Sequence, residues 1–300
     1  MTIAKTLYKA QATGNDFLMY ADADGATDPQ PTEIARVCDR HFGVGADGLI
    51  RVTRPAHVRD LTDAQRDECA KEGAEWFMDY RNADGSLAQM CGNGTRATAL
   101  FLQHFKLAEC SVGVPLKIGT RAGVKVLTPL KADPQLGSPL FRVDMGAWRM
   151  GGLDGHVVTI PGHDGQGKGT FVDMGNPHVV TVVEDAFSTL PVLEQLDLTV
   201  APEVAPAIAE GQNVEFVRVD DIDAAQDLGE ASMRVYERGC GETLSCGTGL
   251  CATAIVLRAK TGIDHWIVTV RGGKLRVDVT DDDVMLTGSA ALVAKVEPLG

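Results

Sequence analysis

The segment Cys91-Gly92-Asn93-Gly94-Thr95-Arg96-Ala97-Thr98-Ala99-Leu100 aligns without a gap with Cys246-Gly247-Thr248-Gly249-Leu250-Cys251-Ala252-Thr253-Ala254-Ile255. The Cys, both glycines, and the Ala, Thr and Ala that follow coincide. Each copy sets a thiol just ahead of an alanine-rich stretch that reads as helix, over about 94–105 and about 249–260. A cysteine at a helix start meets unpaired amide groups and the positive end of the helix dipole, which favour the thiolate and lower the thiol's pKa. The same amides suit a carboxylate, and the glycines let a ligand come close to the backbone. The α-carboxylate of an amino acid can therefore dock beside such a sulfur.

Two copies narrow the chemistry. Inverting a stereocentre through a carbanion needs a base on one face to remove the proton and an acid on the other to return one. Duplicated halves facing each other across a shared cleft would supply one thiol to each face, Cys91 and Cys246, whose roles exchange when the reaction runs backwards. Amide groups aimed at the substrate carboxylate would stabilise the charge that develops on it. Competing readings explain less. A packing motif accounts for Gly and Ala but not for Cys at the same place twice. Zinc held by Cys240, Cys246 and Cys251 would have only one C-x2-4-C spacing, Cys246 to Cys251, where two such pairs are usual, and no nearby His. Thioredoxin-type redox chemistry needs a C-x-x-C that is absent. Pyridoxal phosphate needs a Schiff-base lysine, and neither glycine-rich segment carries one. The expectation is catalysis with no cofactor and no metal.

The elements that position these segments are mostly short strands. Runs bounded by Gly, Asn or Asp read as β at 18–20, 124–127, 141–145, 156–160, 171–174, 179–183, 214–219, 233–236, 267–270 and 275–279. A helix is expected over 31–41, opened by Thr32 as cap with Glu33 in its first turn. Residues 58–73 are polar and charged and read as a solvated insertion. The class is α+β. Two weaker echoes accompany the thiol segments: Gly14-Asn15-Asp16-Phe17 against Gly175-Asn176-Pro177-His178, and Arg121-x-Gly123 against Arg271-x-Gly273. Only two copies exist, so the pattern is a duplication rather than an array. Length favours two domains. The boundary is expected in 129–139, giving an N-terminal half of 1–130 plus about 285–300 and a C-terminal half of 131–284.

Composition narrows the partners. A formal net charge of -13, with 44% hydrophobic and 23% charged residues, fits a globular protein acting on a small molecule. It argues against a nucleic-acid or anionic-membrane surface, which would need clustered Lys and Arg. The N-terminal residues show no apolar signal-peptide core, and the best apolar run, 252–257, is far too short to span a bilayer. A cytoplasmic location is expected. Seven cysteines, an odd number without a secretion signal, are expected to be mostly free thiols.

Further motifs run the length of the chain: Arg40-His41-Phe42-Gly43-Val44-Gly45-Ala46-Asp47-Gly48, Asn82-Ala83-Asp84-Gly85-Ser86, Asn213-Val214-Glu215-Phe216, Tyr236-Glu237-Arg238-Gly239, Gly241-Glu242-Thr243 and Met285-Leu286-Thr287-Gly288. With the two Cys-Gly-x-Gly segments they make a chain that resembles the diaminopimelate epimerases, cofactor-independent amino-acid racemases. The resemblance implies two pseudo-symmetric domains, each a mostly antiparallel curved sheet or barrel around a central helix, with the active site in the cleft between them. It implies interconversion of LL- and meso-2,6-diaminoheptanedioate, a step towards lysine and peptidoglycan, by a homodimer. It makes Cys91 and Cys246 the acid/base pair and places Asn15, Asn82, Gly92, Asn93, Asn176, Asn213, Glu237, Arg238, Gly247 and Thr248 at substrate-binding positions, with His178 supporting the thiols. Physical chemistry concurs, since a substrate with two carboxylates and two ammonium groups needs amides, a cation and an anion. Read alone, any one of these asparagines is a turn residue.

Two rivals stand beside this reading. A proline or hydroxyproline racemase shares the two-thiol logic, and a non-catalytic thiol or metal-binding protein could use the same scaffold. Gln11-Ala12-Thr13 ahead of Gly14 lacks a glycine usual in the family, and Cys240 stands where alanine is usual.

Overall fold

The alanine-rich run after Cys91 forms helix α3 (Gly92–His104), and the run after Cys246 forms helix α4 (Gly247–Thr261). Both thiols are N-caps. Every residue from Gly92 to Leu102 is buried, as are nearly all from Gly247 to Leu257. Helices buried on all sides are core elements, and their Gly, Ala and Thr content lets strands approach closely. The computed structural model describes residues 2–299. Contacts divide the chain into two units, Met1–Val143 with Gly288–Gly300, and Asp144–Thr287.

In the first unit the strands are β1 (Leu7–Ala12), β2 (Asn15–Asp22), β3 (Gly48–Thr53), β4 (Trp76–Asn82), β5 (Leu116–Thr120), β6 (Gly123–Leu130) and β7 (Leu140–Gly146), joined by the last strand of the chain, β19 (Ala291–Val296). Strand β19 pairs antiparallel with β1. From β1 to β7 each strand pairs with the next, and only β2–β3 and β4–β5 are parallel. Helix α1 (Pro31–Cys38) connects β2 to β3, α2 (Asp63–Glu72) connects β3 to β4, and α3 connects the parallel pair β4 and β5. The sheet packs around α3 through β1 to β6 and β19.

The second unit contains β8 (Arg149–Met150), β9 (His156–Thr159), β10 (Gly167–Asp173), β11 (Pro177–Val182), β12 (Glu203–Ala205), β13 (Asn213–Asp223), β14 (Leu228–Glu237), β15 (Gly241–Thr243), β16 (His265–Val270), β17 (Gly273–Val279) and β18 (Val284–Ser289). The order β10–β11 antiparallel, β11–β13 parallel, β13–β14 antiparallel, β14–β16 parallel, then β16–β17 and β17–β18 antiparallel repeats the order and sense of β1 to β7. Helix α4 joins the parallel pair β14 and β16, as α3 joins β4 and β5. The sequence echoes fall at matching turns. Gly14 and Gly175 turn β1 into β2 and β10 into β11 with φ +80° and +87°, values that favour glycine. Arg121 to Gly123 and Arg271 to Gly273 turn β5 into β6 and β16 into β17. The class is a sheet-dominated α+β fold with few helices.

Several local expectations need correction. Helix α1 is capped by Gln30 with Pro31 in its first turn, and Thr32 lies inside it. Proline's fixed φ sets the start without a side-chain cap, while Glu33 reaches back to the Thr2 amide. Residues 58–73 are more than a solvated insertion. Val58, Leu61 and Cys69 pack with Ala74 and Phe77 in a hydrophobic cluster, and α2 is held by a Thr62–Gln65 capping box. The first unit runs to Val143 rather than 130, because β7 pairs with β6 beyond the polar segment. Strands β3 and β4 lack the clean alternation that marks a half-exposed strand, being largely buried on both faces. Among the described residues no helix is long and apolar enough to cross a membrane.

Candidate active site

In the first unit Cys91 Sγ accepts from the Gly94 amide at 3.3 Å and donates to Asn15 Oδ1 at 3.4 Å. The orientation of the surrounding amides follows from ionic partners at each end. Asn15 Nδ2 donates to Asp47 Oδ2 at 2.7 Å, and a carboxylate can only accept, so the Asn15 carbonyl faces the thiol. At the other end the fully buried Arg96 donates to Asn93 Oδ1, which turns Asn93 Nδ2 toward Asn15 Oδ1 at 3.4 Å. Arg96 is also anchored on Thr13 Oγ1 and the Ser289 carbonyl. Arg40 bridges Asp47 and Asp16 at 2.7 Å each. Burial pushes Asp16 up, but hydrogen bonds from Arg40 and Lys9 outweigh it and hold the carboxyl at about 2. Asn82 closes β4 opposite Gly48 and donates to Ser86 Oγ at 2.9 Å.

In the second unit Cys246 Sγ accepts from the Gly249 amide at 3.4 Å and lies 3.5 Å from Thr248 Oγ1. Glu237, at the end of β14, hydrogen-bonds to Cys246 and accepts from Thr243 Oγ1 at 2.5 Å. His178 Nε2 meets Asn176 Oδ1 at 3.1 Å, and Asn176 Nδ2 donates to Thr248 Oγ1 at 3.4 Å. Beneath them His178 Nδ1 meets Glu215 Oε1 at 2.7 Å, with both side chains fully buried. Asn213 opens β13 and accepts the Arg238 amide at 2.9 Å, while Arg238 Nη1 donates to the Glu210 carbonyl at 2.6 Å.

The electrostatics of Cys246 reverse the sequence expectation. Burial pushes its thiol well above the ordinary value, and the carboxylates of Glu237 and Glu215 add to the shift. These outweigh the opposing hydrogen bonds from Thr248 and the Gly249 amide. A helix N-terminus lowers a thiol's pKa only when desolvation does not exceed the helix term. Burial likewise raises Glu237 above the ordinary carboxylate range, against hydrogen bonds from Thr243 and Cys246. The thiol therefore keeps its proton beside a carboxylate of raised basicity that can accept it.

The structure thus joins Asn15, Cys91 and Asn93 in one half-site, with Gly92 in the first turn of α3. It joins Asn176, His178, Glu237, Cys246 and Thr248 in the other, with Gly247 in the first turn of α4 and the Asn213–Arg238 pair at the strand ends. Strand register gives Asn82 and Glu237 matching places in their units, as Asn82 pairs with Gly48 and Glu237 follows Tyr236, which pairs with Val214. Sequence reasoning missed Asp47, Arg96, Thr243 and Glu215 as contributors. For Glu215 the signal was a lone acid within the apolar run 214–217. Among the described residues no three or more His, Cys, Asp and Glu side chains are arranged to hold a metal ion.

The structure defines a duplicated sheet-and-helix unit with a cysteine capping each central helix. The same fold occurs in a phenazine biosynthesis protein of the PhzF family from Bacillus anthracis, with TM-score 0.65 and 18% identity over 98% of this chain and 99% of that one. It occurs too in a probable proline racemase from Agrobacterium radiobacter, with TM-score 0.62 and 15% identity over 97% and 92%. The family model for diaminopimelate epimerase matches residues 7–150 and 170–293. The diaminopimelate epimerase of Corynebacterium glutamicum is 41% identical over 297 residues, covering 98% of each chain. The chain belongs to the diaminopimelate epimerase family, whose members are isomerases.

Proposed function

We propose that this protein interconverts LL- and meso-2,6-diaminoheptanedioate by proton transfer at one α-carbon, with Cys91 and Cys246 as the acid/base pair. The observation that carries the reading is the matched placement of the two thiols as N-caps of corresponding helices, each in its own network. The two networks hold their thiols differently. Cys91 presents its S–H to an acceptor, Asn15 Oδ1, and is ready to act as acid. Cys246 lies against Glu237, which can take its proton and leave a thiolate as base. In one direction Cys246 removes the α-proton while Cys91 delivers its own to the opposite face of the carbanion. The sulfurs then hold each other's starting protonation states, which are those required for the reverse reaction. The first-turn amides of Gly92, Gly247 and Thr248 suit the reacting carboxylate. Asn15, Asn82, Asn93, Asn176, Asn213 and Arg238 supply the remaining amide and cationic contacts. By the same family resemblance we assign the protein to the cytoplasm as a homodimer.

The test is isotope exchange in heavy water without added pyridoxal phosphate. One diaminopimelate isomer should gain deuterium at an α-carbon, and proline and hydroxyproline should not. Cys91→Ser and Cys246→Ser should each slow the reaction by about 10²–10⁴-fold, the usual worth of a positioned acid or base. Exchange into proline alone would reject the substrate assignment. Full activity of either serine variant would reject the assignment of the thiols.

A further inference from the structure

The parallel pairings β2–β3 and β11–β13 place Phe17 and Ile50 of the first unit where the second carries His178 and Glu215. Phe17 pairs with Gly48 and His178 with Asn213, and two residues further on Met19 pairs with Ile50 and Val180 with Glu215. Ile50 lies under Gly94 in α3 as Glu215 lies under Gly249 in α4. An apolar pair beneath one thiol's helix is thus replaced by an ionisable pair beneath the other's. Burying a carboxylate is costly unless it is neutralised, and among the described residues Glu215 Oε2 has no hydrogen-bond partner.

We infer that Glu215 is a positioning residue for the Cys246 half-reaction, holding His178 so that its Nε2–H fixes the Asn176 amide and, through Thr248, aims a hydrogen-bond donor at the Cys246 sulfur. The inference rests on the assignment of Cys246 as an acid/base thiol. Asn176 turns Oδ1 to His178 and Nδ2 to Thr248 Oγ1. That orientation requires a proton on His178 Nε2. A second proton fills the 2.7 Å contact between Nδ1 and Oε1, so the pair is neutral overall whichever atom carries it. With Asn176 Nδ2 donating to Thr248 Oγ1, the threonine's own proton is left for Cys246 Sγ, 3.5 Å away. Every donor in the chain then points toward the sulfur, which favours the thiolate form. With the proton absent from Nε2, Asn176 would turn over, Thr248 would donate to its carbonyl, and the sulfur would lose this donor. In the first unit Asn15 needs no such support from beneath, because Asp47 orients it.

The charged groups around Cys246 are Glu237 from β14, Glu215 from β13 and His178 from β11, with Asp173 at the end of β10 acting on His178. The first turn of α4 has no acidic residue. The experiment follows iodoacetamide alkylation of Cys246 and Cys91 peptides against pH in the full-length protein, wild type and Glu215→Ile. Losing the Glu215 charge would by itself lower the pKa of the Cys246 thiol and speed its reaction, so slower reaction reports the lost Thr248 donor. Cys246 should react about tenfold more slowly near neutral pH, its profile displaced upward by about one unit, with Cys91 unchanged, and faster alkylation of Cys246 would overturn the inference. A folded variant in which Cys246 keeps its wild-type rate and profile overturns the inference. Because Glu215→Ile leaves His178 Nδ1 without a partner, Glu215→Ile with His178→Phe, which copies the first unit, is measured alongside with the same expectation. Nitrogen NMR of the wild type gives a reading independent of folding defects: His178 Nε2 should carry a proton under the conditions of the alkylation measurement, and a bare Nε2 there would equally overturn it. Alkylation reports the thiol itself, so failure here is distinct from full turnover by Cys246→Ser, which would instead reject the catalytic assignment.

Discussion

Asn15 and Asp47 are joined by a 2.7 Å hydrogen bond that leaves the Asn15 carbonyl oxygen 3.4 Å from Cys91 Sγ. The orientation of one amide thereby decides whether the thiol meets an acceptor or a donor. In Asp47→Asn that constraint is lost, and Asn15 can turn its NH2 group to the sulfur. Cys91 should then alkylate faster at neutral pH by up to about tenfold, as expected for a thiol gaining a donor. Isotope exchange should fall, because the acid is no longer held as S–H. Peptide-resolved alkylation with unchanged Cys91 reactivity would contradict the assigned orientation.

The two helix starts should differ sharply in their tolerance of a methyl group. A Cβ on Gly249 would meet Glu215 Oε1 at 2.5 Å, and that oxygen is pinned by His178. A Cβ on Gly94 would meet nothing nearer than Met78 Sδ at 3.3 Å and Cys91 Cβ and Ile50 Cδ1 at 3.4 Å. Gly249→Ala should destabilise the protein by about 1–3 kcal/mol through overpacking and displace the network at Cys246. Gly94→Ala should be nearly neutral, since the helix-propensity gain of up to about 1 kcal/mol offsets a small adjustment. Thermal unfolding of both variants decides this, and equal losses would show that Glu215 is not fixed beneath α4.

Glu237 carries a cost in stability at neutral pH. Its folded pKa lies above the unfolded value of 4.5, so its contribution is fully present below that value and is lost as pH rises through the folded one. Glu237→Gln should therefore melt higher than wild type at pH 8, lose the wild type's decline above pH 4.5, and turn over about 10²-fold or more slower. A variant with the wild-type pH slope of stability would count against the buried carboxyl. Cys246, raised in the same sense, contributes its own decline only at pH above the ordinary thiol range, so the two are separable.

Much of the site was legible because its carriers are local. Cys91-Gly92-Asn93-Gly94 and Cys246-Gly247-Thr248-Gly249 announce helix starts from composition alone, and α3 and α4 begin there. Gly14-Asn15 and Gly175-Asn176 mark turns because glycine takes the positive φ each requires. Less local features were read poorly. Thr32 looked like a cap, but Pro31 sets the helix start. Residues 58–73 looked solvated because their charged positions outnumber Val58, Leu61 and Cys69, whose burial depends on Phe77 and Ala74 of another element.

The sequence by itself determined that two thiols stand at equivalent helix starts in a duplicated chain, since capping and turn chemistry act over a few residues. Tertiary structure alone decided the state of Cys246. Burial and the carboxylates of β13 and β14 raise its pKa, and both arise from strand register between segments distant in sequence. The same register placed Glu215 and His178 beneath α4 where the first unit keeps Ile50 and Phe17. Equal motifs were thereby set in unequal surroundings, because a thiol's proton affinity depends on the dielectric and charges around it more than on its neighbours in sequence.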